Sequence, residues 1–398
     1  MFPAFTMKVQ QRNFPTIAHR SSYGIRYLFA SGIAQGRREL DLLKGDVCML
    51  RRTWSRLMML VGAGVVAGVA RAGEMKKQKP KVIAHRGASG YLPEHTEGAK
   101  VLAIAQGADL VEQDVVLTKD LVPILCHDVT LDETTDVASR YPDRARADGR
   151  WYAADLLWEQ VHQLQVVERR HHDTGKQFFS KRFPGGFGQR PMRLVDEIAL
   201  VRGLNQTYSM NVGWHVECKQ PAWHEKHLGV RIEQIVYDLL QQQQVGRAGE
   251  VCYLQCFESD ALQRLLAAKK NAYPLVFLIG GKPEGLLPRT DRSLEARIDI
   301  WTAWIEKHAA FADGIGPPLD LLVEPSEQGV VASSGLVEAA EATGKFLHPY
   351  TVRADSLPKW SDSLEDLHGW LIERLQVDGF FTDFPDLSRR AIDAFHDS

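Results

Sequence analysis

The sequence predicts an α/β protein, a (β/α)8 TIM barrel with a long insertion after the third strand. Three observations carry this. Short runs rich in Val, Ile and Leu, apolar on both faces, alternate about eight times with longer segments of helical period, which describes a parallel sheet covered by helices. Polar residues able to do chemistry stand where several of those runs end, and parallel barrels build their sites at the C-terminal ends of strands. The chain after Ala72 has 326 residues (398 − 72), more than the ~250 a bare barrel needs, and the largest part of the surplus lies in one stretch.

The strand runs are, in order, 82–84, 110–117, 122–126, 214–218, 251–257, 275–279, 314–316, 346–350 and 379–382. Apolar spacing near 3.6 marks helices over 97–106, 195–205, 230–243, 260–270, 294–308, 335–343 and 364–376. Residues 132–192, which include YPDRARADGRWYAADL, ERRHHDTGK and KRFPGGFGQRP, sustain neither period and are expected to form a cap over one end of the barrel. A smaller excursion from Gly281 to Ser293, rich in Gly and Pro, reads as a loop.

The N-terminal part has a different character. RRTWSR at 51–56, the apolar run Leu57 to Ala70 and the small-residue site Ala70-Arg71-Ala72 are the three parts of a secretory signal. The run has 14 residues, several of them glycine, where a spanning helix needs about 20, so cleavage after Ala72 is expected rather than a membrane anchor. Met49 stands just before the basic segment, which makes residues 1–48 an upstream extension, either a misread start or a disordered arm. The expected organisation is therefore a signal peptide at 49–72 and one domain over 73–398.

Residues 1–72 hold 11 Lys+Arg and 3 Asp+Glu of the chain's 48 and 50, which leaves 37 basic against 47 acidic groups, a net charge of −10. No nucleic-acid partner is expected of so acidic a chain. If it handles a phosphate, it must build a local positive spot against its own field, from a metal, arginine or lysine. After Ala72 the cysteines are Cys126, Cys218, Cys252 and Cys256, each in an apolar stretch and none in a zinc-binding spacing. Cys252 and Cys256 lie about 13 Å apart along one strand, too far to bridge. A pair between Cys126 and Cys218 is left open, beside the plainer reading that all are packed thiols.

In LVEQDVVLT, Glu112 and Asp114 are two apart on a strand and point to one face. Two buried carboxylates repel each other and lose hydration, so a cation should compensate them; a salt bridge to a basic side chain is the alternative. His127 ends the next run, and Glu217 and Lys219 share a face at the end of the one after the cap. His85 and Arg86 end the first strand, before a glycine that lets backbone approach a ligand. Glu112, Asp114 and Glu217 offer only oxygen, which suits a hard cation, Ca²⁺ or Mg²⁺. Arg86 and Lys219 can hold phosphate oxygens, while His85 and His127 can pass a proton in and out of a phosphodiester. IAHR also occurs at 17–20, without the following GASG or a partner histidine, and reads as coincidence.

These residues stand in HRGASGYLPEHT, GADLVEQDVVLTKD, CHDVTLDETTDVA, YPDRARADGRWYA, VECK, CYLQCF, ADGIGPP, LHPYTVRAD and GFFTDFPD. Together and in that order, from about Lys81 to Asp386, they resemble the bacterial periplasmic glycerophosphodiester phosphodiesterases. The resemblance implies a barrel that cleaves small glycerophosphodiesters, such as glycerophosphocholine, to sn-glycerol 3-phosphate and an alcohol, with Ca²⁺ or another divalent ion such as Mg²⁺. It gives His85 and His127 the acid and base roles, Glu112, Asp114 and Glu217 the metal, and Arg86 and Lys219 the phosphate. Glu94 and Gln255 would lie at the rim or behind these groups. It also implies a periplasmic chain with no stable membrane insertion; a homodimer is the oligomer left open.

Two rival functions remain in view. A phospholipase C- or D-like enzyme would share the histidines and the metal but needs an apolar rim for a lipid surface, and the cap here is polar and charged. A secreted phosphodiester-binding protein would keep the fold without turnover, against which stands the retention of both histidines and all three acids.

Overall fold

All eight residues of the strand Leu110–Leu117 are buried, and Val82, Ile83 and Ala84 are fully buried in the first strand. Strands covered on both faces belong to a parallel sheet walled by helices. The computed structural model describes residues 78–247, 249–269, 272–281, 293–325 and 331–397. The expected extension and signal peptide, the first IAHR and residues 282–292 of the Gly/Pro-rich excursion lie outside the described residues.

The strands are β1 (Lys81–Ala84), β2 (Leu110–Leu117), β3 (Pro123–Leu125), β4 (Gly213–Cys218), β5 (Cys252–Cys256), β6 (Leu275–Leu278), β7 (Gly314–Gly316), β8 (Val323–Pro325), β9 (Val331–Ser333), β10 (Phe346–Leu347) and β11 (Gly379–Thr382). Eight of them pair in the parallel order β10-β7-β6-β5-β4-β2-β1-β11. The chain beyond β10 brings the two ends together: Phe381 N donates to Pro349 O at 2.9 Å and Val352 N to Phe381 O at 2.8 Å. The result is a nearly closed (β/α)8 barrel, as expected, with helices such as Glu97–Ala105, Ile232–Gln242 and Leu294–His308 between the strands. Thr96 and Ser293 start two of these helices by accepting from the N–H of Ala99 and Ala296.

A recurrent device closes the N-terminal ends of the strands. Asp109, Asp313 and Asp378 each stand one residue before a strand, and each accepts a 2.8 Å hydrogen bond from the first free N–H of the neighbouring strand, that of Val82, Leu275 and Leu347. A carboxylate there satisfies a backbone donor that the staggered ladder leaves over. Deeper in, Lys100 and Glu197 form an ion pair at 2.9 Å with both side chains fully buried, and the Lys100 ammonium also donates to the carbonyl of Glu112. That tie joins the helix Glu97–Ala105, the helix Leu194–Tyr208 and β2.

One expected strand has another role. The run 122–126 is not a stave of the barrel: β3 pairs antiparallel with β2, Val115 opposite Leu125. Only residues 118–122 separate the two strands, and a parallel crossover needs a dozen or more, so the connection closes as a hairpin. The cap that follows has a small core of its own around Ile124, Leu131, Val137, Leu156 and Leu164. It is braced by ion pairs, Arg146 with Asp155 and Arg150 with Asp132 and Glu133. The four cysteines are buried and free, so the pair left open between Cys126 and Cys218 is not formed.

Removing one partner of a fully buried ion pair leaves an uncompensated charge. Lys100→Met should therefore lower stability by about 3–5 kcal/mol, read from the urea midpoint of unfolding.

Candidate active site

Strand register assembles the site. Ala84 lies opposite Thr382, so His85 and Asp383, the next residues, are neighbours at the barrel mouth. Asp114 lies opposite Glu217, and Glu217 opposite Gln255. His127 arrives from above: β3 runs back down along β2, and Cys126 N donates to Asp114 O at 2.9 Å. His85, Arg86, Glu112, Asp114, His127, Glu217 and Lys219, the seven residues the sequence assigned to proton transfer, metal and phosphate, line one cavity of about 160 Å³.

Leaving β1, the chain takes positive φ at Arg86 (61°) and Gly87 (91°). A side chain at Gly87 would meet the backbone carbon of Ala99 at 2.8 Å, which is why this turn needs glycine. The turn aims the Arg86 N–H at Glu112 Oε2, 2.6 Å away. The Arg86 guanidinium reaches both oxygens of Glu94, at 3.1 and 3.0 Å, and its Nε stands 3.3 Å from Asp114. Lys219 lies 2.8 Å from Glu217 and 3.5 Å from Asp114.

The three acids are almost wholly out of water. Burial, then the neighbouring Asp114, raises Glu112 well above the usual carboxylate range, and burial raises Glu217 to about 8. Burial opposes ionisation of Asp114 too, but Lys219 and His127 overcome it and hold that group low. Three carboxylates against one lysine, and an arginine already engaged by Glu94, leave the mouth short of positive charge. Gln255 adds an orphan: its Nε2 is 3.5 Å from Glu112 Oε1, while its Oε1 is buried without a partner among the described residues. An oxygen-rich, charge-deficient cluster with a spare carbonyl is what a hard cation requires. His95, Glu112 and Asp114 present ligand atoms within 4.8 Å of one another. His95 Nε2, however, binds Asp114 Oδ2 at 2.9 Å and stays outside the cavity wall, so it orients Asp114 from behind while Glu217 faces inward.

The two imidazoles have matching supports. His85 Nδ1 is 2.7 Å from Asp383 Oδ1, and the other Asp383 oxygen takes Arg182 at 2.7 Å and Arg353 at 2.9 Å. His127 Nδ1 is 2.8 Å from Asp128 Oδ1, whose other oxygen takes Arg169 at 2.6 Å. Burial and the adjacent Arg86 lower His85 to about 3, and burial lowers His127 as well. With a carboxylate accepting at Nδ1, each neutral ring keeps Nε2 as the free acceptor.

Asp383, Asp128, His95, Arg169, Arg182 and Arg353 are the functional groups that reading the sequence missed. Asp128 follows His127 directly and could have been found; Asp383 lies 298 residues from His85 and only the β1–β11 register joins them.

Comparison with known proteins follows the same outline. Residues 85–387 match the model of the glycerophosphoryl diester phosphodiesterase family. The chain belongs to this family. It is 34% identical over 352 residues to the glycerophosphodiester phosphodiesterase of Haemophilus influenzae, covering 83% of this chain and 95% of that one. With the Treponema pallidum glycerophosphodiester phosphodiesterase the identity is 32%, over 82% and 94%. Among solved structures, a putative family member from Silicibacter pomeroyi covers 79% of this chain and 94% of its own at 20% identity, TM-score 0.56. An Oleispira antarctica phosphodiesterase, solved in complex with the product sn-glycerol-3-phosphate, covers 79% and 97% at 19% identity, TM-score 0.52. This family member is accordingly an enzyme, a glycerophosphodiester phosphodiesterase by activity.

If Asp383 and Asp128 hold their imidazoles in one tautomer, Asp383→Asn and Asp128→Asn should each lower kcat on the order of 10²-fold or more with a small change in KM, measured in steady-state hydrolysis.

Proposed function

We propose that the chain hydrolyses glycerophosphodiesters such as glycerophosphocholine to sn-glycerol 3-phosphate and an alcohol, with a divalent cation and the two histidines His85 and His127. The observation that carries this is the meeting in one cavity of two carboxylate-braced imidazoles with a buried, charge-deficient acid cluster. The product bound to the Oleispira antarctica relative supports the substrate class.

Glu112, Asp114 and Glu217 would hold the ion, with Gln255 Oε1 available to it; Ca²⁺ suits their number and flexibility, and Mg²⁺ is second. A bound divalent ion would draw charge from the phosphoryl oxygens and make phosphorus more electrophilic. Arg86 and Lys219, freed from part of their carboxylate pairing, would turn toward the phosphate. One imidazole takes the proton of the attacking oxygen at Nε2 as the new P–O bond forms. The other, its protonated form favoured by the negative charge of the bound phosphate, gives its proton to the alcohol oxygen as the old P–O bond breaks. Asp383 and Asp128 keep each ring in register and offset the imidazolium charge when it forms.

The reading extends to location: we place the mature chain in the periplasm, on the strength of the three-part signal at 49–72. Among the described residues no helix is long and apolar enough to cross a membrane.

Two experiments bear on these points. EDTA, His85→Ala, His127→Ala and Glu112→Ala should each reduce glycerophosphocholine turnover by 10²-fold or more, on the order of what one acid–base group contributes, and Ca²⁺ should restore the chelated wild type. Turnover that survives chelation would remove the metal from the mechanism. N-terminal sequencing of the protein from the periplasmic fraction should begin at Gly73; a start at Met1 or Met49 there would refute the cleavage site.

A further inference from the structure

The mouth of the barrel opens into a second lobe, of about 260 Å³, roofed by the cap. His85, Arg86, His127 and Arg353 line both lobes, so they form the wall between them. A phosphate reached by both imidazoles sits at that wall, and its two ester arms must then leave in different directions, one into each lobe.

The charges around the cap lobe are matched, with one exception. Arg86 and Arg169 are engaged by Glu94, and Arg169 also by Asp128 and Glu133. Arg182 is engaged by Asp355 and Asp383, and Arg353 by Asp383. Glu168 is the exception. It is only 4% exposed, it lines the lobe, and its carboxyl has no hydrogen-bond or ion-pair partner among the described residues. Phe178 and Phe179 stand in the same wall, Phe178 stacked on His171 and Phe179 holding the Arg182 guanidinium 3.7 Å from its ring centre; aromatic rings beside a carboxylate suit an alkylammonium.

Resting on the function proposed above, the geometry points to the cap lobe as the subsite for the leaving alcohol, with Glu168 selecting cationic amino alcohols, the choline and ethanolamine class, over uncharged ones. Burial pushes the Glu168 carboxyl up to about 8, against the pull of Arg182. An arriving ammonium offsets the cost of ionising it in place. The glycerol arm carries no charge that could use this group, so the barrel lobe is left for glycerol.

The test compares kcat/KM of wild type and Glu168→Gln, both with Ca²⁺, on the choline, ethanolamine and glycerol diesters of glycerophosphate. The ratio of either cationic substrate to the glycerol diester should fall fivefold or more in the variant, through KM; a smaller change overturns the inference. A second measurement needs no variant. Choline should inhibit the wild type at a concentration at least tenfold below its uncharged isostere 3,3-dimethyl-1-butanol, and equal inhibition also overturns it. Wild-type protein that hydrolyses none of the three diesters sinks the proposed function itself, whereas an active wild type with an unshifted ratio sinks only the role of Glu168.

Discussion

Three carboxylates out of water in one barrel mouth set the terms for everything around them. Glu112, Asp114 and Glu217 are each at most 5% exposed, and mutual repulsion adds to the cost of their burial. A fold keeps such a cluster only if positive charge is near at hand, and here that charge comes in layers. Lys219 and Arg86 touch the acids directly, and Lys100 sits beneath β2, bound to the Glu112 carbonyl and to Glu197. Cations that a bare mouth would not need are thus built into the barrel wall.

The same economy of pairing runs outward into the cap. Arg169 spans Glu94, Asp128 and Glu133, which ties the loop after β1, the loop after β3 that carries His127 and the cap to one guanidinium. Arg182 does the same between the cap and the end of β11, through Asp383 and Asp355. A segment without helix or strand period is therefore not loosely attached. Its arginines brace the carboxylates that in turn hold His85 and His127, so cap position and imidazole orientation are coupled through Asp383 and Asp128. Planar guanidinium forks suit this task, because one group can serve two carboxylates in fixed directions.

Much of this was legible in the residues. The alternation of apolar runs and helical periods described the barrel, and the seven residues placed by strand-end position and chemistry all line one cavity. Where the reading stopped, the reasons are physical. Residues 122–126 have the composition of a barrel stave, and it was the length of the preceding turn, not the strand itself, that made them the return arm of a hairpin. Cys126 and Cys218 were compatible with a bridge by type, but a bridge depends on a Cα separation that composition does not encode.

Local chemistry, then, was determined by the sequence alone: where the strands lie, apart from the short hairpin of β8 and β9, which strand ends carry acids, imidazoles or cations, and where a glycine is needed. Pairing across the chain was decided only by the tertiary structure. Asp383 supports His85 across 298 residues because β1 and β11 share a register, and among the described residues Glu168 has no hydrogen-bond or ion-pair partner, while the neighbouring Arg169 and Arg182 are paired with other carboxylates. Burial and charge balance are properties of a neighbourhood, and a neighbourhood exists only once the barrel has brought its ends together.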